Sequence, residues 1–433
     1  MASEHLEQIT DSRPDVPQMT NLRDDLTDLA QRTADPERPY LTVSLDYRPD
    51  GTQPNRRPGA LWLKEREQEL AEALGPRGPA FDALTEGMQQ LHAALDGFER
   101  EPPHGLIFVA QPAASDFRLI PLAVPVEQSA IVAPRPALTP LARIADAYPP
   151  FALLLADSKQ AFLHTFALGT REREVTMESA YAHVTPGAVG NKMIERKALN
   201  AVEQQLENFA KAITEETRRV LAEDGVQHLI IAADDQLTAT LRDHFPKELD
   251  EKLIGTVAAD IRATPTDLLA LALPIVAAAR QAREEDIVQR LTTAALSPGG
   301  LGVFGVAETL AALQAGQVQH LVLADDFHAP GWVDDTLGIV GAGEPPREHP
   351  AGGDAASLRR VELADEMVHC ALMTGGTVAF ITMRERDVDE DANEAEEQHG
   401  ERPGAPATLH EHGGVGAILR FRLDENQTVP DLQ

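Results

Sequence analysis

Three cations, Lys192, Arg196 and Lys197, stand close together directly after a glycine loop, Thr185-Pro-Gly187-Ala-Val-Gly190-Asn191. The spacing that follows predicts one long helix from Asn191 to about Glu223, with Ile194, Ala198, Val202, Leu206, Phe209, Ile213 and Val220 on a single stripe. The cations then fall in its first two turns, where the helix dipole is already positive and added positive charge is mildly destabilising. One reason to keep them there is to neutralise a phosphate or an RNA backbone. The bland alternative is a solvated helix face with Glu195 and Glu203 as partners.

Other motifs are weaker. Gly187-Ala-Val-Gly190-Asn-Lys192 is too short for a nucleotide phosphate loop, and Met193 stands where the magnesium-binding hydroxyl belongs. Gly300-Leu-Gly302-Val-Phe-Gly305, with Asp325 about 20 residues on, fits a dinucleotide fingerprint by letter. That fingerprint needs a strand before its first glycine, whereas a helix and Ser297-Pro298 precede it here; a helix-to-helix turn is expected. Asp157, Asp234 and Asp325 each follow an apolar strand, as carboxylates of two-metal nucleases do, but strand-end Asp is also the ordinary turn and N-cap residue. His410-Glu-His412 lies in a stretch that reads as a loop with no third ligand in view. No serine triad motif appears.

The elements that must position these residues alternate between strand and helix. Tyr40–Tyr47, 105–110 and 117–122 read as strands, with helices over 60–73 and 80–98 and a polar helix at the start. Proline-rich text near Tyr148 marks a change of segment. A buried-type strand, 151–157, and its hairpin partner, 160–166, come next; after the long helix follow strands at 228–233 and 253–257 around a helix at 235–244. From Glu284 the order begins again: helix 284–296, helix 306–315, strand 320–324, a loose Gly/Pro stretch 342–353, helix 361–373, and strands 377–382 and 415–421. Three domains are expected, 1–146, 147–283 and 284–433.

With 69 acidic against 38 basic residues the formal charge is −31, which repels polyanions at long range and requires any RNA contact to be local. Cys370 is the single cysteine, which excludes disulfides within the chain; it reads as a buried apolar residue. The polar start and the lack of a long apolar run imply a cytoplasmic chain with no membrane partner.

Gly302-Val-Phe-Gly-Val-Ala-Glu-Thr-Leu-Ala-Ala-Leu-Gln-Ala-Gly316, then 318–323, then Gly413-Gly-Val-Gly-Ala-Ile-Leu-Arg-Phe421, resembles the C-terminal domain of archaeo-eukaryotic release factors and Pelota. The hairpin, glycine loop and long helix before it resemble the middle domain of the same lineage, in its bacterial branch. The resemblance implies an α/β chain of three domains. Its middle domain would be ribonuclease-H-like with one long helix, and its C-terminal α/β sandwich would resemble kink-turn-binding ribosomal proteins. It further implies a tRNA-sized factor that enters the ribosomal A site with no cofactor. Gly187, Gly190, Asn191, Lys192, Arg196 and Lys197 would face 23S rRNA, and the C-terminal domain would meet a translational GTPase. True release factors carry Gly-Gly-Gln in the loop; here no such triplet stands, which is similar to Pelota-like and Balon-type hibernation factors. Peptidyl-tRNA hydrolysis through Asn191 and metal-dependent nuclease action remain as alternatives.

Overall fold

The structure is a computed structural model that describes residues 6–13, 22–32, 34–49, 57–98, 103–168, 170–179, 192–382 and 405–422. The first segment runs β1 (Leu6–Ser12), α1 (Leu22–Ala30), β2 (Tyr40–Asp46), α2 (Pro58–Leu74), α3 (Pro79–Asp96), β3 (Gly105–Gln111), β4 (Asp116–Leu122), β5 (Ser129–Ala133) and α4 (Thr139–Ala147). Next come β6 (Phe151–Ala156), β7 (Gln160–Ala167), β8 (Thr170–Ser179), α5 (Lys192–Glu223), β9 (His228–Ala232), α6 (Asp235–His244), α7 (Lys247–Asp250) and β10 (Leu253–Val257). The remainder holds α8 (Pro265–Leu296), β11 (Gly302–Phe304), α9 (Val306–Gln314), β12 (Val318–Ala324), β13 (Pro330–Asp334), β14 (Ile339–Ala342) and β15 (Arg359–Glu362). It ends with α10 (Leu363–Met373), β16 (Thr377–Ile381), α11 (Ala405–Glu411) and β17 (Val415–Leu419). The chain is mixed α/β.

Two compact units form: Met1–Met19 with Tyr148–Arg280, and Thr20–Ala147 with Gln281–Gln433. The first is built on a six-stranded sheet in the order β1-β8-β7-β6-β9-β10. The pairs from β1 to β6 are antiparallel, while β6, β9 and β10 run parallel. Because side chains alternate along a strand, β6 feeds two cores. Ala152, Leu154 and Ala156 meet Phe209, Ile213 and Val220 of α5; Phe151, Leu153 and Leu155 meet Leu268, Ala272 and Val276 of α8. Both faces are covered, which is why 151–156 is an unbroken apolar run. Each of these large side chains contributes roughly 1.5–3 kcal/mol by leaving water.

The second unit contains three sheets, β4-β3-β2-β5, β11-β17-β12-β16 and β14-β13-β15. On the first, Leu84, Met88 and Leu91 of α3 cover Leu41, Val43 and Phe108. Gly87 lets that helix sit close, since a Cβ there would come within 2.6 Å of Leu41.

Several elements differ from the sequence expectation. Where a polar helix is expected at the start, β1 pairs in register with β8, Asp11 against Val175. The helix expected to begin at Glu284 is the end of α8, which starts at Pro265 and is as long as α5, 32 residues each. The stretch 300–305 is not a bare turn: β11 lies within it and pairs with β17. Its glycines are there for space, because a Cβ on Gly300 would fall 1.8 Å from the Ala294 carbonyl oxygen and one on Gly302 2.5 Å from the Ala295 nitrogen.

Candidate functional site

The site expected from sequence begins where β8 ends. Gly187, Gly190 and Asn191 lie outside the described residues, as does all of 180–191. Lys192, Arg196 and Lys197 are in the first two turns of α5, and their side chains are outside the description. What is described is the frame that carries the loop. Ser179, at the end of β8, is buried and its N–H donates to the Lys159 carbonyl at 2.8 Å. The far half of α5 is anchored in the sheet core through Phe209, Ile213, Val220 and Leu221.

A buried arginine ties this frame together. Arg173 of β8, 2% exposed, donates from Nε and Nη2 to the two Asp11 carboxylate oxygens at 2.9 and 2.5 Å. It also donates to Asp224 Oδ1 at 2.9 Å and to Glu223 Oε2 at 3.1 Å, at the end of α5. One guanidinium thus joins β1, β8 and the end of α5, a geometry that its planar fork allows and lysine would not. The hydrogen bond from Arg173 holds the Asp11 carboxyl below its ordinary range, and the same pairing raises the guanidinium above its own. Beside them, burial and the neighbouring Asp224 charge push Glu172 up to about 7. Spacing could not reveal this network, since Asp11 and Arg173 are 162 residues apart.

The remaining sequence candidates form no three-ligand group among the described residues, although Asp157 and Asp234 each lie two residues beyond the paired Leu155 and Ala232 of adjacent parallel strands. The Asp157 carboxylate accepts from the Lys159 and Gln160 amides at 2.7 and 2.9 Å and closes the β6–β7 turn. Asp234 caps α6, accepting from the Leu237 amide at 2.7 Å. Asp325 belongs to the other unit, and its N–H donates to the Ile381 carbonyl. His410 is in the last turn of α11 rather than a loop and meets Asp326 at 3.1 Å, while the His412 ring stacks on Phe304 with centroids 4.2 Å apart. Among the described residues no group of three or more His, Cys, Asp or Glu could hold a metal.

The second unit has its own ion-pair cluster beside a cavity of about 470 Å³. Arg135 donates to Glu366 at 2.6 Å, and Arg359 to Asp335 at 3.0 and 3.1 Å. Asp365 accepts from the Leu138 and Thr139 amides at 2.7 and 2.9 Å, so a carboxylate at the start of α10 caps α4. Burial pushes the Cys370 thiol up to about 11 and His369 down to about 4, which leaves both neutral at pH 7 and unsuited to nucleophilic or base chemistry there.

A family model agrees with the middle of the chain. These features define an α/β protein of more than one unit, the first with a six-stranded sheet and one long helix, α5. Residues 136–277 match the model of Bacterial archaeo-eukaryotic release factor family 10. No curated protein matches the chain. Among solved structures, yeast (S. cerevisiae) Dom34, a translation termination-like factor, is 12% identical over 75% of this chain and 81% of its own, TM-score 0.38. Archaeal Pelota in its ribosome-bound form is 14% identical over 96% and 100%, TM-score 0.37. The archaeal translation termination factor aRF1 is 16% identical over 93% and 97%, TM-score 0.24.

Proposed function

We propose that this chain is a ribosome-associated, tRNA-mimicking factor of the release-factor and Pelota type, acting in hibernation or in rescue of stalled ribosomes. It does so without releasing peptide, because Gly187-Ala-Val-Gly190-Asn191 lacks Gly-Gly-Gln. The observation that carries the reading is that the release-factor match falls on the segment that leads from β8 into α5, whose first two turns hold Lys192, Arg196 and Lys197 in a chain of charge −31. In this reading the three cations and the loop face 23S rRNA, residues 284–433 receive a translational GTPase, and residues 1–146 serve a separate contact.

Cosedimentation with ribosomes at low salt tests it, using lysate from starved cells as well as purified ribosomes. The wild-type chain is expected in the ribosome fractions, and a Lys192→Glu, Arg196→Glu, Lys197→Glu variant is expected near the top with a shallower salt dependence. A wild-type chain confined to the top fractions would sink the proposal. A second reading, hydrolysis with Asn191 in place of glutamine, rests on the position of Asn191 directly before α5. It requires peptide release from stalled complexes that Asn191→Ala abolishes. The nuclease reading is set aside, because Asp157 and Asp234 serve a turn and a helix cap and, among the described residues, no third His, Cys, Asp or Glu joins them into a metal-binding group.

A further inference from the structure

Four turns meet at one end of the sheet β11-β17-β12-β16: residues 296–302 after α8, 314–318 after α9, 372–377 after α10, and 419–422 at the exit of β17. Backbone and arginine hydrogen bonds join them. The Leu419 amide donates to the Leu301 carbonyl at 2.7 Å and the Arg420 amide to the Gln317 carbonyl at 2.8 Å. Arg420 Nη1 donates to the Thr374 carbonyl at 2.8 Å, and Arg422 Nη2 to the Gly302 carbonyl at 3.2 Å.

Their composition sets this end apart from the rest of the chain. The turns spell Leu-Ser-Pro-Gly-Gly-Leu-Gly, Gln-Ala-Gly-Gln-Val, Leu-Met-Thr-Gly-Gly-Thr and Leu-Arg-Phe-Arg, without one Asp or Glu in a chain that carries 69. Arg420 and Arg422 are exposed, and among the described residues neither guanidinium has a carboxylate partner. Between and beside them stand large apolar side chains in water: Leu296 at 81% exposure, Leu301 at 39%, Met373 at 52% and Phe421 at 46%. Large exposed apolar side chains gathered on turns that hydrogen-bond to one another mark a place where another molecule sits.

The chemistry of the patch selects that molecule. Exposed arginines on turns whose described residues include no acid call for an anionic partner. Nucleic acid would satisfy the arginines but offers its sugar-phosphate backbone nothing to cover three aliphatic side chains, and a single exposed aromatic is a poor stacking platform. A polypeptide with alternating acidic and apolar residues satisfies both. We propose that this end of the C-terminal sheet docks an acidic segment of a partner protein, with apolar anchors of that segment seated among Leu296, Leu301, Met373 and Phe421.

Ribosomes are absent from the test, so its failure and that of ribosome association are separate results. The full chain is titrated into a fluorescent acidic amphipathic peptide of Glu, Asp, Leu and Phe, and anisotropy is read. Controls are the same peptide with Lys at every acidic position, and an oligouridylate. Saturable binding of the acidic peptide is expected, weakened roughly tenfold by Arg420→Glu with Arg422→Glu as two attractions become repulsions. Leu296→Ser with Phe421→Ser is expected to weaken it while leaving its salt dependence unchanged. Arg420→Gln with Arg422→Gln, the milder pair, gives an intermediate loss, and an unchanged circular dichroism spectrum shows each variant folded. No binding of the acidic peptide, or equal binding of the Lys peptide, overturns the proposal. Displacement of the acidic peptide by oligouridylate overturns it in favour of RNA. Binding that appears only after deletion of residues 423–433, which read Leu-Asp-Glu-Asn-Gln-Thr-Val-Pro-Asp-Leu-Gln, overturns it in favour of the chain's own end.

Discussion

Replacing Arg173 by Met should free the N-terminal strand while leaving the rest of the first unit folded. The substitution removes four hydrogen bonds at once, two to Asp11, one to Asp224 and one to Glu223. Breaking a buried ion pair costs roughly 3–5 kcal/mol, because the abandoned charge stays in poor solvent. Here the side chains of Asp11 and Glu223 are 37% and 44% exposed, so water recovers part of their solvation. Arg13 also remains 3.0 Å from Asp224, and Arg219 close to Glu223. The lower end of that range, about 3 kcal/mol, is therefore expected, equal to about 150-fold in an opening equilibrium. The assay is amide hydrogen exchange over residues 6–12, whose protection comes from the β1–β8 ladder. Exchange there should accelerate by about that factor while β6 and β9 stay protected. Asp11→Asn should do the same more weakly. Because Arg173 lowers the Asp11 carboxyl below 3.8, the stabilisation is present above that pH and is lost as pH falls through the folded value. Wild-type exchange over 6–12 in a folded Arg173→Met protein would refute the reasoning.

Three further outcomes are expected. Glu172, pushed up to about 7, keeps its proton in the fold while the unfolded chain releases it near 4.5, so stability falls as pH rises between those values. Glu172→Gln should then raise stability by about 1–2 kcal/mol at pH 8, after discounting for the partial exposure of the side chain, with no gain at pH 4, read from urea midpoints. Asp365→Ala removes the acceptor that caps α4 and should cost about 1–2 kcal/mol, with faster exchange at residues 138–142; Asp365→Asn, which keeps a carbonyl oxygen, should recover most of it. Cys370, half-buried and with its thiol pushed up to about 11, should react with iodoacetamide at pH 8 more slowly than the same cysteine in urea, and comparable rates would contradict the raised thiol.

Strong local patterns were legible in the sequence. The apolar run 151–156 and its hairpin partner follow from a strand buried on both faces, and α5 follows from a stripe that repeats every three to four residues. What stayed hidden depends on partners far along the chain. β1 is exposed along most of its length and reads as polar, so only its ladder with β8 and the Asp11–Arg173 pair make it a strand. β14 and β15 are four residues each, the first in text rich in Gly and the second at the start of the stretch read as helix 361–373, and exist because β13 lies between them. Pro274 interrupts the reading of α8, although the helix continues through it. Of the candidate site, the helix start was legible and the buried arginine behind it was not, because an ion pair across 162 residues leaves no periodic trace.

The position of β1 also bears on how the chain can be made and cut. Residues 6–12 are synthesised well before their partners, and their place beside 174–179 does not exist until the whole of β8 has followed. A fragment that starts at residue 147 would omit them, leaving one side of β8 without hydrogen-bond partners and Arg173 short of a carboxylate, an invitation to strand pairing between molecules. Leu6 pairs with Ser179, where the strand that feeds residues 180–191 ends, so a change in β1 would be felt at that strand end.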